Sequence, residues 1–96
     1  MIRHTVVFTL KHAEGSAPER KFLEDAQILA SIPTVQKFER LKQVSKKNAY
    51  KYGFSMEFAD QAAYDTYDKH PTHVAFVRDR WKTEVVDFLE IDYVPL

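Results

Sequence analysis

The stretch Val85 to Val94 spells a strand with apolar side chains on both faces: Val86 and Phe88 on one side, Leu89, Ile91 and Tyr93 on the other. A strand that is apolar on both sides has to be covered twice. In a chain of 96 residues, helices can cover one face of a sheet. The other face needs a second sheet, most economically that of an identical subunit. The expectation is therefore a homodimer joined through sheet faces. Seven Phe, five Tyr and one Trp point the same way, being more large apolar side chain than one small core usually absorbs.

The remaining elements follow from periodicity. Ile2 to Leu10 alternates, with His4, Val6, Phe8 and Leu10 on one face and Arg3, Thr5, Val7 and Thr9 on the other. A loop from His12 to Ala17 follows, in which His12 is expected to be solvated. Ser16, Pro18 and Glu19 have the spacing of a capping box with proline in the first helical turn. That helix sets Phe22, Ala26, Leu29 and Ala30 on one stripe, flanked by Leu23 and Ile32, until Pro33 ends it. Val35 to Val44 is a solvated strand, and the polar turn Ser45–Asn48 joins it to a second strand, Tyr50 to Phe58. In the latter, Tyr52, Phe54, Met56 and Phe58 face one way and Gly53, Ser55 and Glu57 the other. Asp60 is a good N-cap for a helix whose inner face holds Ala63, Tyr64 and Tyr67. The order is β-α-β-β-α-α-β, an α+β fold of ferredoxin-like kind, with a four-stranded antiparallel sheet and helices on one face. No domain boundary interrupts residues 1–96.

Chemistry gathers at Tyr67-x-x-His70-Pro71-x-His73. Pro71 has no amide hydrogen and pushes His70 out of the α region, so the helix carrying Tyr67 stops near His70 and a short one starts near Thr72. Tyr67 and His70 share a helix face at a spacing of three, and His73 follows across the bend. Beyond it, Val74, Val77 and Trp81 form one stripe, and His73, Phe76 and Arg80 an adjacent one. A phenol and two imidazoles near one kink can relay protons around neutral pH. The plainer alternative is that both histidines only cap the helix junction.

Several function classes fall away. Fourteen basic and fourteen acidic residues cancel, leaving no electrostatic footprint for nucleic acid or anionic membrane. Absence of cysteine removes disulfides, thiolate metal sites and cysteine nucleophiles. There is no run of about 18 apolar residues and no signal-peptide pattern, so a cytoplasmic location is expected. No phosphate-cradling glycine loop or dinucleotide fingerprint is present. Three histidines could in principle bind zinc, but no acidic pattern is legible around them. Neither a metal nor another cofactor is expected.

Taken together, His4 on the opening strand, Ile32-Pro33, Phe58, Tyr67-x-x-His70-Pro71-x-His73-Val74 and the closing Asp92-Tyr93 resemble the stress-responsive α/β-barrel (Dabb) domain family. The resemblance spans nearly the whole chain and implies homodimers whose two sheets close into a barrel. One plant member is a polyketide cyclase that works by aldol condensation without a cofactor. Its catalytic tyrosine and histidine match Tyr67 and His73, and further pocket histidines match His4 and His70. Where its first helix presents more aromatics, this chain has Lys21 and Asp25 around Phe22.

The resemblance implies His73 as a base, Tyr67 as a hydrogen-bond donor and His4 as an orienting group. The expected cavity lies between the helices and the inner face of the sheet. Val6, Phe8, Phe22, Phe76 and Trp81, with His70, are its expected substrate contacts. Three classes of function fit: a cofactor-free cyclase or lyase, a module that binds a small and partly apolar molecule, and a stress-associated dimer without catalysis.

Overall fold

A computed structural model describes residues 1–96. In chain order the elements are β1 (Ile2–Leu10), α1 (Ala17–Asp25) continuing as a 3₁₀ stretch (Ala26–Ser31), β2 (Gln36–Lys42) and β3 (Tyr52–Phe58). Then come α2 (Gln61–Lys69), α3 (Pro71–Phe76), a π-helical turn (Val77–Trp81), α4 (Lys82–Glu84) and β4 (Val85–Tyr93). The four strands make one antiparallel sheet in the order β2-β3-β1-β4. This is the ferredoxin-like arrangement expected, with helices on one face.

The alternation of β1 decides which face is inner. His4, Val6, Phe8 and Leu10 are all buried, and the row packs with Phe54, Met56 and Phe58 of β3 and Phe22, Ala26 and Leu29 of the first helical segment. Helix starts are set by local chemistry. Ser16 Oγ accepts from the Glu19 amide, while the Glu19 carboxylate accepts from the Gly15 amide, one residue earlier than a strict capping box. Gly15 takes φ 79° there, a left-handed conformation that glycine adopts without a side-chain clash. Asp60 accepts from the Ala63 amide and starts α2. At Pro71 the chain breaks as expected: α2 ends at Lys69, and His70 is extended (φ −63°, ψ 135°).

Three expectations need correction. Ala30 is exposed, because the helix tightens to three residues per turn at Ala26 and rotates Leu29, not Ala30, onto the sheet. Val74 is 46% exposed; α3 turns Phe76 inward, and two residues back lies about 200° around a helix. His12 is not solvated: its Nε2 lies 2.7 Å from Glu84 Oε1, with both side chains largely covered. Glu57, on the face opposite the core, is also buried, under ion pairs with Arg3 (2.8 Å) and Lys37 (3.4 Å).

The largest departure is β4. A bulge between its pairings with Thr9 and Leu10 leaves Val86 without a partner. Beyond it, Phe88, Glu90 and Asp92 stand opposite Phe8, Val6 and His4 on the helical side. Leu89, Ile91 and Tyr93 stand opposite Val7, Thr5 and Arg3 on the open side. Within one chain β4 is not buried on either side; even Ile91 is 40% exposed. It is an edge strand, held by β1 alone.

Candidate functional site

Between the helical layer and the inner face of the sheet lies a cavity of about 500 Å³. Its inner wall is buried (His4, Val6, Met56, Tyr67), and its outer end is exposed (Lys82, Phe88, Glu90). Two chain segments that are distant in sequence bring its polar groups together. β1 supplies His4, and the kinked α2–α3 pair supplies Tyr64, Tyr67, Asp68 and His73.

His73 owes its position to the proline break. Its Nδ1 lies 3.0 Å from the backbone carbonyl of Asp68. A carbonyl only accepts, so Nδ1 carries the proton and Nε2 of the neutral ring is left as an acceptor. That nitrogen has no partner in the protein. The ring packs 4.3 Å, centroid to centroid, from Tyr67.

Tyr67 is 3% exposed, and its hydroxyl makes no hydrogen bond to protein. Burial, with the negative charges of Asp68 and Glu90, pushes the phenol well above its ordinary range. Tyr67 is therefore a proton donor in hydrogen bonds at neutral pH, and not a base.

His4 sits at the opposite wall, 6.2 Å from the Tyr67 ring. Its Nδ1 donates to Asp92 Oδ1 at 2.5 Å and also lies 2.9 Å from the Tyr64 hydroxyl. Tyr64 in turn donates to Asp92 Oδ2 at 2.9 Å. The carboxylate thus accepts from both groups, fixes the tautomer of His4 and leaves its Nε2 without a protein partner. Burial raises the Tyr64 phenol, and its bond to Asp92 raises it further.

The candidate residues therefore separate into groups. His4, Tyr67 and His73 line one cavity together with Val6, Phe76 and Trp81. Phe8 and Phe22 do not; both are fully buried in the core beneath it, packed edge to face at 5.9 Å. His70 is not on the cavity either. Its Nδ1 accepts from the Thr72 amide and caps α3, the plainer of the two roles open to a histidine at this junction.

Tyr64, Asp68, Glu90 and Asp92 were not singled out from the sequence as site residues. Extending the alternation of the last strand from Phe88 puts Glu90 and Asp92 on its face, but only the pairing with β1 shows that this face meets His4. No three His, Asp or Glu side chains converge as a metal site would require. No helix is long and apolar enough to cross a membrane.

The chain matches the family described as stress responsive A/B barrel domain (Dabb) over residues 2–95, and it belongs to that family. It is similar to a crystal structure of a Dabb family protein with a ferredoxin-like fold from Mesorhizobium loti. The identity is 67%, the TM-score 0.98, and the match covers 99% of this chain and 96% of that one. An Arabidopsis thaliana protein is similar at 26% identity and TM-score 0.81, covering 100% and 96% of the two chains. A ferredoxin-like protein of unknown function from Bacteroides fragilis, described as dimeric, shares the fold at 19% identity and TM-score 0.70, covering 96% and 93%. No curated protein matches the chain.

Proposed function

We propose that this protein is a homodimer through its open sheet face, and that each protomer holds a small, partly apolar molecule in the cavity for acid–base chemistry without a cofactor. The observation that carries the reading is the bond from His73 Nδ1 to the Asp68 carbonyl, which in the neutral imidazole leaves Nε2 as an acceptor, on a ring whose centroid is 4.3 Å from that of Tyr67. An aldol-type cyclisation or a lyase step needs a base for a proton on carbon beside a carbonyl, and donors where negative oxygen develops. His73 Nε2 is the base and Tyr67 the donor. His4, held by Asp92 and Tyr64, orients the second end of the substrate. The apolar walls from Val6, Phe76 and Trp81 keep water away, which strengthens these bonds.

The dimer rests on the open face of β4. Leu89 and Ile91 are 47% and 40% exposed, and Leu41, across the sheet, is 48% exposed. That surface needs a partner, and a second copy presents the same row. The Bacteroides fragilis protein is a dimer built on this fold. Core-like interfaces of obligate dimers bury about 2,000 Å² or more.

Two measurements test the proposal. Sedimentation should show a dimer at micromolar concentration, and Leu89→Glu should give monomer or aggregate; a stable wild-type monomer overturns the assembly. For the site, His73→Ala should abolish most turnover of any substrate found, since a positioned acid–base group contributes about 10²–10⁴-fold. If binding of that compound persists in His73→Ala and the wild-type protein shows no turnover of it, the site is a binding module.

A further inference from the structure

The cavity's charge has a consequence for what it can hold. Asp68 lies on the last turn of α2 and Glu90 on the inner face of β4, opposite Val6. Both line the cavity, and neither carboxylate has a hydrogen bond or ion pair in the protein. Lys82 is the one lysine or arginine on the lining. The lining therefore carries two carboxylates against one ammonium. The second observation is Tyr67, 3% exposed, on the same wall, with a hydroxyl that makes no hydrogen bond within the protein and is open to a molecule in the cavity.

We infer that this site selects ligands that carry a cationic amine on an apolar, ring-sized body, with the amine held between Asp68 and Glu90 and a carbonyl or hydroxyl oxygen on Tyr67. The inference rests on the cavity being a ligand site, as proposed above, and adds the class of ligand. The walls suit such a molecule. Trp81 and Phe88 meet edge to face at 5.6 Å where the cavity opens, and aromatic faces attract cations. A cavity of about 500 Å³ is in the range that encloses one drug-sized molecule. An anionic ligand has only Lys82 to oppose the repulsion of Asp68 and Glu90. The position of Asp68 is also economical: its backbone carbonyl holds His73, while its side chain is free for the ligand.

The test uses the single tryptophan, Trp81, as a reporter inside the site. Its fluorescence is titrated with phenylbutylamine, phenylbutanol and phenylbutyrate, which share one skeleton and differ in charge. At neutral pH and low salt the amine should bind about tenfold more tightly than the carboxylate, with the alcohol between, since each partly exposed charge pair contributes modestly. The order should compress at high salt. Asp68→Asn with Glu90→Gln should abolish it, and Lys82→Gln should widen it. Carboxylate binding as tightly as amine overturns the inference and leaves the ligand site standing. An unchanged order in the folded double variant, checked by circular dichroism, does the same. If none of the three compounds perturbs Trp81, the ligand-site reading falls and the inference with it.

Discussion

The layer between helices and sheet has two ends made of similar material and put to different use. At one end Phe8 and Phe22 pack edge to face with ring centroids 5.9 Å apart, beneath the cavity-lining Phe54 and Trp81. At the other, His4, Tyr64, Tyr67 and His73 show comparable ring distances of 4.3–6.4 Å. The first end is closed: Phe8 and Phe22 have no exposed surface. The second surrounds a cavity. Aromatic packing alone does not make a core or a site. The difference lies in the heteroatoms, and in whether their hydrogen bonds are completed by the protein. At the closed end nothing needs completing. At the open end Tyr67 Oη and the Nε2 atoms of His4 and His73 remain without protein partners.

This contrast predicts unequal responses to truncation. Phe22→Ala should have the largest effect, a loss of about 3–5 kcal/mol in denaturant melts, as for other buried aromatics. His73→Ala, one ring removed from the half-buried wall of the cavity, should cost about 1 kcal/mol or less while removing the chemistry. A large loss of stability in His73→Ala with unchanged ligand binding would make the second end another piece of core.

The closed end is also clamped by charge. Arg80 bonds Asp25 Oδ2 at 2.5 Å and Glu84 Oε2 at 2.6 Å, and His12 joins Glu84. Hydrogen bonds from Arg80 and then Lys21 hold the Asp25 carboxyl below its ordinary range. Burial works to raise Glu84, but Arg80 and His12 outweigh it and leave it lowered. A carboxyl depressed in the folded state contributes stability that is complete above its unfolded pKa and is lost as pH falls through the folded one. The clamp should therefore stabilise the protein fully above about pH 4.5 and fade below it. Arg80→Gln should lower the melting temperature at neutral pH and bring it towards wild type in acid. An equal deficit at both pH values would mean that Arg80 acts through its contact with the Phe22 ring (5.7 Å) and not through its charge.

Two smaller effects sharpen the picture of the open end. Pro71→Ala should change stability by about 1 kcal/mol in either direction, because helix propensity improves while the native break is lost. Its clearer signature should be weakened ligand binding as His73 moves away from Tyr67. Tyr67→Phe should leave the melting temperature nearly unchanged, since the hydroxyl has no protein bond to lose. A marked destabilisation there would show that the hydroxyl has a partner in the folded protein.

Much of this organisation was legible in the amino-acid order, for a local reason. A strand repeats every two residues and a helix every 3.6, so side-chain direction follows from near neighbours. His4, Val6, Phe8 and Leu10 could be put on one face, Ser16 and Asp60 at helix starts, and a break at Pro71, without knowing what each would touch. The expected convergence of His4, Tyr67 and His73 drew on the strand face of His4 and the inner helix face of Tyr67, and on the family pattern for His73.

Tertiary structure alone decided what depends on partners far along the chain. His4 meets Asp92 across 88 residues of sequence, through a strand pairing whose register is reset by the bulge at Val86. That pairing, and no local signal, makes Tyr64 and Asp92 the supports of His4 and brings Glu90 to the cavity. His70 and His73 looked alike in the sequence and took different roles, because the extended residue before proline turned one ring to cap a helix and the next helix turned the other to the cavity. Phe8 and Phe22 shared faces with site residues, but the depth of packing closed over them. Local periodicity determines which way a side chain points. Whether a polar atom, a ring or water waits there is settled only when the layers close.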